Sequence, residues 1–286
     1  MTFFLRLKTP FSKTARTGLI ALLGFVSPVL ADQGYSVGVV PQFEARKLAD
    51  IWTPILEELE RRTGAELHMI GSPRIPEFEQ AFIRGEFDFA YMNPYHSLVA
   101  FEQQHYQPLI RHGERKLFGV LVVRKDSPYQ SVQDLSGKKI AFPSPNALGA
   151  SLLMRADLDR RFHLDFEPDF VNTHASAYLN VVLGEADAGG GVMGTFNSLD
   201  PQIRDHLRII YETTHLPPHP LVVHPRVPKE IAERVQQAFL DMAATPDGQA
   251  LLARVPIGRA VKAEISDYQE LRELKLDEYH IETGIE

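Results

Sequence analysis

Apolar positions between residues 35 and 100 switch between two periods. Tyr35 to Val40 is an apolar run of strand length. Behind it Leu48, Ile51, Trp52, Ile55, Leu56 and Leu59 recur at helical spacing, and Gly64 closes the stretch. Leu67 to Ile70 predicts a second strand. Ile75 to Arg84 predicts a short helix with Phe78, Ala81 and Phe82 inward, ended by Gly85. Phe87 to Tyr91 predicts a third strand, and a further helix starts near Tyr95. This β-α-β-α alternation predicts a mostly parallel sheet flanked by helices.

The pattern then restarts. Leu117 to Val123 is a long apolar strand, and Ser136-Gly137 is a turn. Lys139 to Phe142 is a strand, Leu148 to Arg161 a helix, Phe170-Val171 a strand, Ala175 to Leu183 a helix, and Arg208 to Tyr211 a strand. Leu221-Val222-Val223 crosses back, and a helix begins at Pro228, a residue suited to a first helical turn. The expected organisation is α/β and two-lobed: residues 32–122 and 218–286 form lobe 1, residues 123–217 form lobe 2, and a two-strand hinge joins them.

Composition narrows the setting. Residues 1–16 carry four basic side chains and no acid, an apolar stretch from Leu19 to Leu30 follows, and Ala31 ends a small-residue cleavage pattern. This describes a secretory signal peptide over residues 1–31; the apolar stretch, broken by Gly24 and Pro28, is too short to span a membrane. The expected location is the periplasm. Loss of those four cations from the 30 in the chain leaves 26 against 37 acidic residues, a net charge of −11. That balance argues against nucleic acid as a partner. The absence of cysteine excludes disulfides, thiolate nucleophiles and cysteine-based metal sites.

Several motifs admit chemistry. Gly189 to Gly194 satisfies G-x-G-x-x-G, but the buried strand before it and the helix after it that a dinucleotide site needs are not predicted, so the glycines are expected to let backbone approach the cleft closely. His215, His219 and His224 lie among prolines without helical pairing, which is weak support for metal. No nucleophile motif is present, and no cofactor or metal is expected. Two strand-to-helix junctions carry more. One runs from Phe142 to Ser151 and offers Ser144, Asn146 and the backbone of Ala147, Leu148 and Gly149. The other places Thr173 as a helix cap and His174, expected neutral, in the first turn. Both junctions also have the simpler reading of ordinary helix capping. At the equivalent edge of lobe 1, Tyr91, Asn93 and Tyr95 offer a pocket wall, joined by Gln42 and Phe43 after the first strand.

Gly38 to Gln42, Trp52 to Ile55, Gly85 to Tyr91, Ser136 to Phe142, Thr173-His174, Gly184 to Ala188, Pro220 to Val223 and Tyr268 occur in an order that resembles the phosphate/phosphite/phosphonate ABC-transporter substrate-binding proteins. The resemblance implies a type II periplasmic binding protein fold, a monomer, and a small-molecule ligand held between lobes and passed to a membrane permease. It departs after Ser144-Pro145, where the family's Ser-Thr-Ser-Gly run is replaced by Ala147, Leu148, Gly149 and Ala150, removing three hydroxyls. The missing hydroxyls point away from a phosphonate. Two other readings stay open: a ligand-binding partner of a membrane sensor kinase, and, more distantly, a metal-dependent hydrolase using the His215–His224 cluster.

Overall fold

The computed structural model describes residues 34–282, so the signal peptide expected over residues 1–31 lies outside the described residues. The first lobe opens with β1 (Tyr35–Val39), α1 (Ala45–Thr63), β2 (Leu67–Ile70), α2 (Ile75–Ile83), β3 (Phe89–Tyr91), α3 (Pro94–Gln104) and β4 (Gln107–His112). The second holds β5 (Gly119–Arg124), β6 (Lys138–Phe142), α4 (Leu153–Arg160), β7 (Phe166–Phe170), α5 (His174–Leu183), β8 (Ala188–Val192), α6 (Met193–Asn197), α7 (Pro201–Arg204) and β9 (Leu207–Glu212). The chain returns through β10 (Leu221–Val223), α8 (Lys229–Ala243), α9 (Pro246–Leu252) and β11 (Ala260–Lys262).

Helix α1 buries the stripe from Leu48 to Leu59 that its spacing predicts, and Gly64 ends it at φ 68°, a conformation glycine adopts without steric cost. Trp52 packs on Tyr91 at 5.2 Å between ring centroids, tying that helix to the strand that reaches the cleft. Asn93 caps α3 by accepting the His96 N–H at 2.8 Å, and Thr173 caps α5 by accepting from Ser176 at 3.0 Å.

Both sheets are mixed rather than mostly parallel. The six-stranded sheet runs β11-β4-β10-β3-β1-β2, and the five-stranded sheet β7-β6-β8-β5-β9. Only β1 with β2 and β3, and β6 with β7 and β8, pair in parallel. The antiparallel pairs all involve β5 or β10, which emerge from the crossings between lobes, or β4, which leads into one. A strand entering straight from a crossing lacks the helical return that keeps neighbours parallel. Strand β5 belongs wholly to the second sheet, so the crossing precedes the boundary expected at 122/123. The two crossing segments meet at Leu117 and Leu216, whose N–H groups donate to each other's carbonyls at 2.9 and 2.8 Å.

Of the glycine run expected to bring backbone to the cleft, Gly194 lines it, whereas Gly189, Gly190 and Gly191 serve the interior of the second lobe. Residues 189–191 lie inside β8, whose one face meets α5 and whose other meets a π-helical turn, Leu148–Leu152, that precedes α4. A Cβ on Gly190 would lie 2.2 Å from the Ala150 carbonyl oxygen, and one on Gly191 1.8 Å from the Tyr178 hydroxyl. The helix expected from Leu148 therefore starts as a wider turn pressed against a bare strand. The largest apolar cluster runs on from the first lobe into this turn, through Ala147, Leu148, Ala150 and Leu152.

Beyond the two crossings, the C-terminal segment links the lobes a third time. Arg160 on α4 donates to the carbonyls of Leu274 (2.7 Å) and Lys275 (2.9 Å) and pairs with Glu278, while Arg155 donates to the Tyr279 carbonyl at 2.7 Å.

Candidate functional site

Two chambers lie between the lobes and share Gln42, Leu117, Val192 and His219 as a common wall. The inner chamber has a volume of only about 20 Å³ and is lined by Asn93 from the first lobe and by Ala147, Leu148, Gly149 and His174 from the second. That is room for about one water. The outer chamber, about 480 Å³, is lined by Phe43 and Tyr91 on one side, Met193 to Thr195 on the other, and the crossing residues Arg115 to Phe118 and Pro218. Arg254, just beyond α9, closes its rim.

Of the residues expected at the site, eight line these chambers: Gln42, Phe43, Tyr91, Asn93, Ala147, Leu148, Gly149 and His174. Three do not. Tyr95 points to the C-terminal segment, where its hydroxyl donates to Asp277 at 2.6 Å. Asn146 is fully buried between lobes and bonds Glu79 and the Ile281 backbone. Ser144 is buried with its hydroxyl unpartnered among the described residues and lines neither chamber. Capping by Asn93 and closure contacts by Asn146 occupy groups that local sequence offers equally to a ligand.

His219, Arg115, Lys116 and Arg254 also line the outer chamber, which the sequence did not lead us to expect. Burial holds the His219 imidazole down at about 3, helped by the nearby His96 and His174, and burial alone holds His174 at about 4, so both rings are neutral at pH 7. Gln42 Nε2 donates to His219 Nε2 at 3.0 Å, and His219 stacks on Tyr91 at 5.4 Å. His174 Nδ1 lies 3.4 Å from Thr195 Oγ1, while no described residue bonds its Nε2. The histidine cluster itself disperses. His215 stacks on Phe118 at 4.0 Å, and His224 meets Tyr106 edge-on at 4.9 Å in the first lobe. Among the described residues no group of three or more His, Cys, Asp or Glu is arranged to hold a metal ion.

A cleft between two α/β lobes, bridged by a paired-strand crossing and lined from both sides, defines a solute-binding protein of the two-lobed class. A family model described as the periplasmic substrate-binding protein of the phosphonate ABC transporter matches residues 37–268. The chain belongs to this family. It is 22% identical over 263 residues to the phosphonates-binding periplasmic protein of Escherichia coli (strain K12), covering 84% of this chain and 76% of that one. Its fold is similar to PhnD1 from Prochlorococcus marinus, solved in complex with methylphosphonate, with a TM-score of 0.78, 17% identity and coverage of 86% and 99% of the two chains. It is also similar to a binding protein component of an ABC phosphonate transporter from Pseudomonas aeruginosa, with a TM-score of 0.77, 16% identity and coverage of 87% and 90%.

Proposed function

We propose that this chain is a receptor and not an enzyme, one that captures an organic solute between its lobes and passes it to a membrane permease, and that it does not select the solute by a small phosphonate group. The observation carrying this reading is the contrast between the chambers. The position flanked by the turn 147–149 offers about 20 Å³ and an alanine, a leucine and a glycine, whereas the adjoining space offers about 480 Å³. A tetrahedral oxyanion at the inner position would meet Leu148 instead of hydroxyls, and each charge-strengthened hydrogen bond not made forgoes about 1.5–3 kcal/mol. Neutral His174 offers one donor or acceptor there, not a countercharge.

A thermal-shift screen tests the reading with phosphate, phosphite, alkylphosphonates and a set of larger neutral, zwitterionic and anionic solutes. A ligand at 100 times its Kd stabilises by about 2.7 kcal/mol. The expected result is a raised melting temperature with a larger solute and none with phosphate or methylphosphonate. A shift with methylphosphonate equal to that with any larger solute overturns the reading.

A further inference from the structure

We infer that the outer chamber is a site for an organic anion carrying an aromatic ring. The inference rests on the receptor reading above and specifies the ligand's chemistry.

Charge comes first. Arg115 and Lys116 on the crossing and Arg254 beyond α9 stand around the chamber, and no aspartate or glutamate lines it. None of the three cations forms an ion pair with a described residue, and the neighbouring Glu114 is already paired with Arg259. Three unpaired cations on one cavity of a chain with formal net charge −7 make a local positive field against an acidic surface. Lys47 adds a fourth positive group behind the wall, with Nζ 4.0 Å over the Phe43 ring.

Shape and polarity come second. Phe43, Tyr91 and Phe118 line the cavity, and the last two are held by stacking on His219 and His215. Flat, pre-positioned faces of this kind favour a flat apolar ligand body. Tyr91 is 3% exposed, yet its hydroxyl has no hydrogen-bond partner among the described residues. Tyr91 lines the cavity, so a ligand oxygen placed against this hydroxyl can accept its hydrogen bond. Small phosphonates leave both the aromatic faces and most of the volume unused.

Calorimetric titration of the full chain with 1-naphthyl phosphate tests this, with inorganic phosphate, 1-naphthol and methylphosphonate in parallel. Two variants separate the contributions. Gly194→Trp adds bulk at the chamber wall from α6, where an added Cβ meets nothing within 4 Å. R115Q/K116Q/R254Q removes exposed charge only, and an unchanged melting temperature certifies both proteins. The expected result is 1-naphthyl phosphate binding at least tenfold tighter than phosphate or 1-naphthol, with the advantage lost in each variant. Binding no tighter than either control, or binding unchanged by Gly194→Trp, overturns the inference. The methylphosphonate arm keeps the two readings apart, because tight methylphosphonate binding contradicts the receptor reading's inner-chamber claim, whereas a failure confined to 1-naphthyl phosphate removes only the aromatic anion.

Discussion

Asn146 and Ile281 exchange two hydrogen bonds across 135 residues of chain: Asn146 Nδ2 donates to the Ile281 carbonyl at 2.8 Å, and the Ile281 N–H donates to Asn146 Oδ1 at 3.1 Å. The second amide hydrogen of Asn146 goes to Glu79 Oε2 at 3.1 Å, and Glu79 in turn bonds His96 at 2.9 Å. One buried side chain of the second lobe thus holds both the C-terminal segment and a buried carboxylate of the first. Burial pushes the Glu79 pKa up, but the hydrogen bond and charge of His96 and the Asn146 bond prevail and hold it below the ordinary value.

Removing that amide is expected to loosen closure. Asn146→Ala removes both bonds to the Ile281 backbone and the one to Glu79, and should cost about 1–3 kcal/mol in urea unfolding. Asn146→Asp should cost more at pH 7, because it sets a second carboxylate against Glu79. Small-angle scattering of either variant should show a larger radius of gyration. Wild-type stability in Asn146→Asp would mean that the contact bears no load.

Acid should destabilise the protein through its neutral histidines. His174 and His219 have folded pKa values of about 4 and about 3, below the ordinary 6.5, so the unfolded chain binds more protons in between. Their contribution is complete above pH 6.5 and is lost as pH falls toward 4 and then 3, at about 1.4 kcal/mol per pH unit for each ring. Melting curves from pH 7.5 to 4.5 should show the decline, and His174→Asn should flatten it. A pH-independent melting temperature across that range would contradict the buried, neutral assignment.

The bare strand makes a sharp steric prediction. Gly191→Ala drives a methyl group onto the Tyr178 hydroxyl and should cost about 1–3 kcal/mol or more. Gly71→Ala, where an added Cβ meets nothing within 4 Å and φ is not positive, should be neutral or slightly stabilising. Equal melting temperatures for the two variants would show that the second lobe does not pack as closely as described.

Restoring hydroxyls at the inner chamber should change selectivity. A147S/L148T shortens the leucine and supplies two donors, and methylphosphonate affinity should rise about tenfold for each hydrogen bond gained. Gly149 is best left alone, because a Cβ there would crowd the Gly119 N–H at 3.1 Å. No gain in affinity would place the phosphonate defect elsewhere.

The helices with a clear apolar period were legible in the sequence, as α1 and its Gly64 stop show. So was the ordered set of motifs that spans both lobes. Strand β4 was not legible, since Leu109 and Ile110 are its only apolar residues beside Pro108 and two basic side chains. The three-residue β11 carries no period at all. The places of Gln42, Tyr91 and His174 on the chamber walls were legible because topology sends residues next to strand ends to the cleft. Arg115, Lys116 and Arg254 were not, because they come together only when the crossing meets the end of α9. Nor does anything near Asn146 or Tyr95 foretell that residues 277–281 return to claim them.

Calorimetric titration of the wild-type chain with methylphosphonate tests whether the lobes close on a solute outside the position flanked by Ala147, Leu148 and Gly149. No saturable heat is expected up to about 1 mM, corresponding to less than about 4 kcal/mol of binding free energy. One-to-one binding at micromolar Kd or tighter would contradict it, and would mean that the turn at Leu148 moves aside to receive the headgroup.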